Sequence, residues 1–168
     1  EFIVMELLRG QTLAELLDRE HQLRLPLALE IARGILDALE AAHDKGVVHR
    51  DLKPENVFLV GEPGSTAAVK ILDFGISKLI AKREQGIQTV SGMVMGTPLY
   101  MPPEQAMGSR DLGAPADLYA LGAILYRMLA GEPVFIAPTY AALILKVVQD
   151  LPRPLQELRR DLPAEISE

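Results

Sequence analysis

Cysteine is absent from this chain of 168 residues, so neither a disulfide framework nor a thiolate zinc site can shape it, and the absence suits a reducing cytoplasm. Histidine is almost as scarce: His21, His43 and His49 are the full set, which leaves a zinc centre without support. No apolar run reaches the roughly 20 residues that a membrane-spanning helix needs. The longest candidate, Leu118 to Ala130, is short and carries Arg127, so no membrane contact is expected of this segment. Aromatic residues make up 5% of the chain and the formal charge is −6, with no basic stripe, which argues against nucleic acid as the main partner. Acidic surface of this kind commonly serves solubility. The chain starts at Glu1-Phe2 with neither methionine nor a basic-apolar leader, and so reads as an excised piece without a signal peptide.

What is present is concentrated in one stretch. His49-Arg50-Asp51-Leu52-Lys53-Pro54-Glu55-Asn56 is followed by Asp73-Phe74-Gly75, and together they hold a carboxylate base, a phosphate-binding cation and two hard oxygen ligands. A lone Asp-x-x-x-x-Asn would mean little, because both residues are common in turns, where they bond their own backbone. Eight specified residues in order, with a second motif at a plausible distance, are far more specific. The flanking pattern agrees. Val57 to Val60 and Val69 to Leu72 read as strands, and Gly61-Glu62-Pro63-Gly64-Ser65 reads as the turn between them. The result is a hairpin that presents Asn56 and Asp73 at neighbouring strand ends.

On these residues the chain resembles the protein kinase family, in its serine/threonine branch and bacterial type, whose motifs are an established template for phosphoryl transfer. The resemblance implies the roles that follow. Asp51 holds the substrate hydroxyl in line with the terminal phosphate of ATP and accepts its proton. A serine hydroxyl is too basic to lose that proton early, so Asp51 mainly positions. Lys53 contacts the transferring phosphate and helps neutralise its charge, while Asn56 and Asp73 suit Mg²⁺. Met5, Glu6, Leu8, Lys53 and Phe58 contact the nucleotide, with Met5 as gatekeeper and the backbone of Glu6 and Leu8 at the adenine edge. His49 is a packed core residue beside Phe74 and not a ligand. The acceptors are serine or threonine hydroxyls of protein substrates, with self-phosphorylation included.

The rest of the chain fits a kinase-like large lobe of the α+β class, mainly helical with a short catalytic-loop hairpin. Phe2 to Gly10 reads as a strand running into a turn, and Thr12 caps a helix from Leu13 to about Arg19. A longer helix runs from about Pro26 to Lys45, with Ile31, Ile35 and Leu39 at helical spacing and Gly46 at a left-handed cap. Gly34 inside it costs about 1 kcal/mol against alanine and hints at tight packing. The activation segment that the resemblance implies, Asp73 to Glu104, holds Gly75, Gly86, Gly92 and Gly96 and few large apolar residues, so mobility is expected there. A phosphate on Thr89 or Ser91 would pair with Arg50 and Lys78.

By the resemblance, Thr97 bonds to Asp51 and Lys53, and Glu104 awaits an arginine that this chain does not contain. Pro102 stands where the family usually has alanine, which puts the local geometry in question, since proline removes a donor and restricts Met101. Asp117 to Ala130 is apolar nearly all round and therefore belongs inside, ended by Gly131. Asp117 either bonds back to the catalytic-loop backbone or simply caps its helix. Tyr140 to Gln149 reads as an amphipathic helix, and 152–168 as a polar tail.

By the same resemblance, residues 1–11 are the last small-lobe strand and hinge, and 12–168 are a large lobe cut before its final helices. The small lobe is almost entirely absent, with no glycine-rich loop and no strand lysine, so the 168 residues alone are expected to transfer phosphate negligibly. Two other readings stand beside the kinase: a pseudokinase-like binding or scaffold module, and a small-molecule kinase of related fold.

Overall fold

Thr12 decides where the first helix begins. Its backbone is extended, its Oγ1 accepts the Glu15 backbone N–H at 3.2 Å, and its own N–H donates to the Glu15 carboxylate at 2.7 Å. This reciprocal capping box starts α1, Leu13–Glu20, whose Leu13, Leu16 and Leu17 are buried. The computed structural model describes residues 6–61, 68–74, 98–109, 111–163 and 166, so Phe2 to Met5 of the expected strand lie outside the described residues. β1 is Gly10–Thr12, and residues 6–9 are not strand. Gly10 makes this pairing possible: a Cβ there would lie 2.0 Å from the Leu59 carbonyl oxygen, and its φ is +147°. Only glycine permits that approach.

The catalytic-loop hairpin forms as expected. β2, Val57–Val60, pairs antiparallel with β3, Ala68–Ile71, in the register Val57 opposite Ile71, and β1 adds to the other edge of β2. Leu72, expected in the strand, instead donates its N–H to the Asn56 carbonyl at 2.8 Å. That bond closes the base of the hairpin.

Behind the sheet lies α2, Leu25–His43, with Pro26 in its first turn and Ala28, Ile31, Ala32, Ile35 and Leu39 buried. It stops two residues before the expected Lys45. The chain there tightens: Lys45 N–H reaches the Ala42 carbonyl at 3.0 Å and Gly46 N–H the His43 carbonyl at 2.8 Å, spacings that break the helical ladder. Gly46, with φ +70°, follows this turn and does not cap the helix directly.

The segment after residue 97 is helical. Pro98–Tyr100 forms a 3₁₀ turn, and Pro102 precedes a short helix α3, Pro103–Ala106. Pro102 fits its site without distortion, because an N-cap needs only a carbonyl, and its own accepts the N–H groups of Gln105 and Ala106, both at 3.0 Å. α4, Ala114–Ala130, begins three residues earlier than expected because Pro115 sits in its first turn, and it ends at left-handed Gly131. Its Ile124, Met128 and Leu129 pack against Leu13, Leu17, Ile31 and Ile35 in the core.

α5, Tyr140–Gln149, has the expected bounds and is capped by Thr139. The tail is less polar than expected: it contains α6, Leu155–Leu158, and buries Leu155 and Leu162 in the main core. Arg159 fastens it, its Nη1 donating to the carbonyls of Leu129 at 3.0 Å and Leu23 at 3.3 Å. Among the described residues, no helix is long and apolar enough to cross a membrane.

Candidate active site

Between α2 and β2 the chain runs through His49 to Asn56, and its shape is set by bonds from three directions. His49 is fully buried. Its Nδ1 accepts the Asp51 backbone N–H at 3.2 Å, which places its proton on Nε2, and Nε2–H donates to the Leu72 carbonyl at 2.9 Å. One imidazole thus ties the backbone of Asp51 to the strand end that delivers Asp73. Phe74 packs edge-on against it with ring centroids 5.0 Å apart, as the resemblance implied.

Asp117 supplies the second direction. It lies in the first turn of α4 with 1% of its surface exposed. Oδ1 accepts the Arg50 N–H at 2.8 Å, and Oδ2 accepts both the His49 N–H and His43 Nε2–H at 2.8 Å each. Asp117 therefore does not cap its own helix; of the two expected roles, the bond to the catalytic loop is the one present. A carboxylate in a helix's first turn also faces favourable backbone dipoles. Arg50 needs this hold, since its φ of +65° puts a bulky residue in the left-handed region, at a cost of about 1–3 kcal/mol.

The third direction is Asn56, buried at the end of a 3₁₀ turn, whose Nδ2 donates to the Asp51 carbonyl at 2.9 Å. Its amide nitrogen is thereby committed, and its Oδ1 remains as an acceptor. Asp73 follows across the hairpin base, itself left-handed with φ +54°. One amide oxygen and one carboxylate on adjoining strand ends are a hard donor pair of the kind Mg²⁺ takes when substrate oxygens complete its shell. Among the described residues no group of three or more His, Cys, Asp and Glu is placed to hold a metal ion.

The side chains left for chemistry face outward. The Asp51 side chain is 55% exposed, and Lys53 Nζ reaches its Oδ2 at 3.2 Å. An exposed pair of this kind contributes at most about 1 kcal/mol to stability, so its value lies in placing opposite charges together in a cleft. Arg50, Tyr100, Met101, Pro102 and Gln105 line that cleft. Burial, with the Glu55 charge second, pushes the Tyr100 phenol up to about 12, so Tyr100 faces the cleft as a neutral phenol at physiological pH.

Phe58 on β2 sits opposite Thr12 on one edge and Lys70 on the other. Lys70 Nζ donates to the Glu6 carboxylate, which ties the segment before β1 to β3. Leu8 is half-buried and Glu6 exposed. Glu104 makes no ion pair among the described residues, and its charge raises the Tyr119 phenol, after burial as the larger cause. Met5, Lys78, Thr89, Ser91 and Thr97 lie outside the described residues.

Two contributors were not singled out from the sequence as parts of the site: His43, which reaches Asp117, and Gln105, whose Nε2 approaches the Arg50 carbonyl at 3.4 Å. For His43 a signal existed, since a carboxylate set in a nearly all-apolar helix demands partners from elsewhere.

Comparison with known proteins agrees with this geometry. The chain is 41% identical over 161 residues to the serine/threonine-protein kinase pkn3 of Myxococcus xanthus, covering 95% of this chain and 29% of that protein. It is 44% identical over 134 residues to Pkn1 of the same organism, covering 80% and 19%, and 37% identical over 153 residues to PknB of Mycobacterium leprae, covering 91% and 24%. The chain thus spans about a quarter of the length of these relatives, with 29%, 19% and 24% covered. The protein kinase domain family matches residues 1–167, and with the motif residues gathered as described, this chain belongs to the protein kinase family.

Proposed function

We propose that this chain is the hinge and most of the large lobe of an ATP-dependent serine/threonine protein kinase acting on protein substrates, itself included, in the cytoplasm. The observation that carries the reading is the convergence of His49, Asp117 and Asn56 on the backbone around Asp51, which leaves its carboxylate exposed beside Lys53. Such convergence has a chemical use, because phosphoryl transfer demands little covalent chemistry from the protein and depends on positioning and electrostatics.

In this reading Asp51 accepts a hydrogen bond from the acceptor hydroxyl and takes its proton as the oxygen–phosphorus bond forms. Lys53 offsets charge on the moving phosphoryl oxygens. Asn56 Oδ1 and the Asp73 carboxylate hold the cation. Mg²⁺ bound with ATP supplies charge neutralisation on the phosphates. Glu6 and Leu8, with Met5 and Phe58, border the adenine.

The names of the relatives favour serine and threonine as acceptors. So does the run Lys53-Pro54-Glu55. In the same reading Thr97 steadies Asp51 and Lys53, and phosphate on Thr89 or Ser91 pairs with Arg50 and Lys78. Residues 1–11 form the last small-lobe strand and hinge and 12–168 the large lobe, so the 168 residues alone transfer phosphate negligibly. An Asp51-dependent activity of the isolated segment would refute that last point.

The test of the substrate class is transfer of labelled γ-phosphate by the full-length protein to itself, to a basic protein and to aminoglycosides or choline, followed by acid hydrolysis. Phosphoserine or phosphothreonine is the expected product. Label on the small molecules alone would establish the small-molecule kinase instead. Nucleotide-dependent thermal stabilisation without any transfer would establish the scaffold.

A further inference from the structure

The only charged residues of α4 are Asp117 and Arg127. Asp117 is engaged with the loop before Asp51. Arg127 is half-buried, yet among the described residues it forms no ion pair. A guanidinium keeps its charge and its five donors at every accessible pH. Partial burial without a partner therefore leaves a cation poorly served by water and open to an anion.

Helical geometry says where that anion would lie. Asp117, Ala120 and Arg127 share one face of α4 by their spacing, and Asp117 and Ala120 line the cleft that holds Asp51 and Lys53. Arg127 stands about 10 Å further along the axis than Ala120, and a long helical side chain leans back toward the helix N-terminus, here toward the cleft. Tyr100 marks the meeting point. It lines the same cleft and its 3₁₀ turn packs on α4. Its phenol, raised above all by burial, also feels the charges of Glu55, Arg127 and Asp18. Glu55 and Asp18 are exposed and so are hydrated. Half-buried Arg127 gains more from an incoming opposite charge.

We propose that Arg127 is a specificity-determining residue: it receives an aspartate or glutamate side chain of the acceptor polypeptide, bound beyond Tyr100 while the acceptor hydroxyl sits at Asp51. The proposal rests on the kinase reading above and narrows its substrate class to serines and threonines with an acidic neighbour. The planar guanidinium matches a carboxylate in a two-bond fork. An extended chain covers about 3.4 Å per residue, so that neighbour lies within about four residues of the acceptor.

The test uses the full-length protein and neutral synthetic peptides holding one threonine. A single glutamate is walked through about four positions on either side, each peptide paired with its glutamine counterpart. Glutamine keeps the shape without the charge, so the ratio of the two kcat/KM values isolates the carboxylate. The expected ratio is about tenfold at one position, shrinking as salt is raised. In Arg127→Gln it falls to within about twofold of unity, and in Arg127→Glu lysine becomes preferred to glutamine at that position. A ratio taken within one enzyme does not move when a variant is merely less stable or less active, so a structural role for Arg127 would leave it intact.

No transfer to any peptide by the unaltered protein would sink the kinase reading. The same peptides with alanine for threonine, labelled and titrated by fluorescence anisotropy, then decide the role of Arg127 alone, with about a tenfold difference in Kd expected between glutamate and glutamine. The role is overturned if no position gives a ratio above about threefold, if the ratio persists in Arg127→Gln, or if the paired peptides bind equally. It is likewise overturned if the unaltered protein prefers lysine and Arg127→Gln strengthens that preference, because Arg127 would then only offset Glu55 and Asp18. Should Arg127→Gln fail to fold, Arg127→Met, which keeps the bulk of the stem in its apolar surroundings, is judged by the same ratios.

Discussion

Substituting Gly34 by alanine sets two effects of known sign against each other. Gly34 lies in the middle of α2, where alanine is favoured by about 1 kcal/mol on helix propensity alone. An added Cβ, however, would lie 2.6 Å from Val69 Cγ2 and 2.8 Å from Val69 Cβ on β3. The second atom is fixed to the backbone and cannot swing aside as a long side chain would. Relief requires α2 and β3 to separate, and overpacking of this kind costs about 1–3 kcal/mol. Packing therefore matches or outweighs propensity, with a net loss of up to about 2 kcal/mol by these magnitudes. The assay is the urea midpoint of the kinase domain at constant m-value, with Val69→Ala as a companion. Removing both γ-methyl groups relieves the closest contact, so Gly34→Ala should cost less in that background, by at least about 0.5 kcal/mol of coupling. Stabilisation by Gly34→Ala, or strict additivity, would refute the account of why glycine stands there.

Three further outcomes are expected. Asp117→Asn replaces one acceptor oxygen by an NH2 donor that faces a backbone or imidazole N–H and leaves that donor unpaired, so it should cost about 3 kcal/mol and lower kcat; a loss under about 1 kcal/mol, read by the same denaturation, would show that the three bonds are not holding the loop. The Arg159 guanidinium, hydrogen-bonded to Asp161, holds the Asp161 carboxyl down to about 2. A depressed carboxyl stabilises the fold above its unfolded value and loses that contribution as pH falls through its folded one, so Asp161→Asn should be somewhat less stable at neutral pH, lack the decrement between about pH 4 and 2, and match the unaltered protein at the acid end. An unaltered acid limb would contradict this. Thr12→Ala removes the cap acceptor of α1 and should cost about 1 kcal/mol. The Glu15 carboxyl should stay below its ordinary value in an NMR titration, because its largest cause is the Thr12 backbone N–H, which alanine retains.

The parts of the site readable in advance were those written as contiguous residues. Asp51, Lys53, Asn56 and Asp73 lie in two short motifs, and the β-branched runs between them announce the hairpin that joins them. Helix limits were readable wherever a local signal acts alone, as with Thr12 before α1. They shifted where tertiary bonds intervene: α2 stops early because Asp44 to Gly46 fold into a turn that leads to His49, and Leu72 leaves its strand because Asn56 offers it a carbonyl. β1 was hidden because its pairing depends on one glycine lying against Leu59, a contact between residues 49 positions apart. The tail was misjudged for a similar reason. Its prolines and charges signal loop, while the burial of Leu155 and Leu162 depends on a core assembled elsewhere. His43 and Asp117, 74 positions apart, become partners only once α2 and α4 cross.

The most direct test of the central claim compares the full-length protein with its Asp51→Asn form, measuring phosphoryl transfer and Mg²⁺-nucleotide affinity on the same samples. If Asp51 is the group that orients and deprotonates the acceptor, transfer falls by at least about a hundredfold while affinity stays within about twofold. Transfer that survives to within tenfold, or a loss matched by equal loss of nucleotide binding, would contradict it.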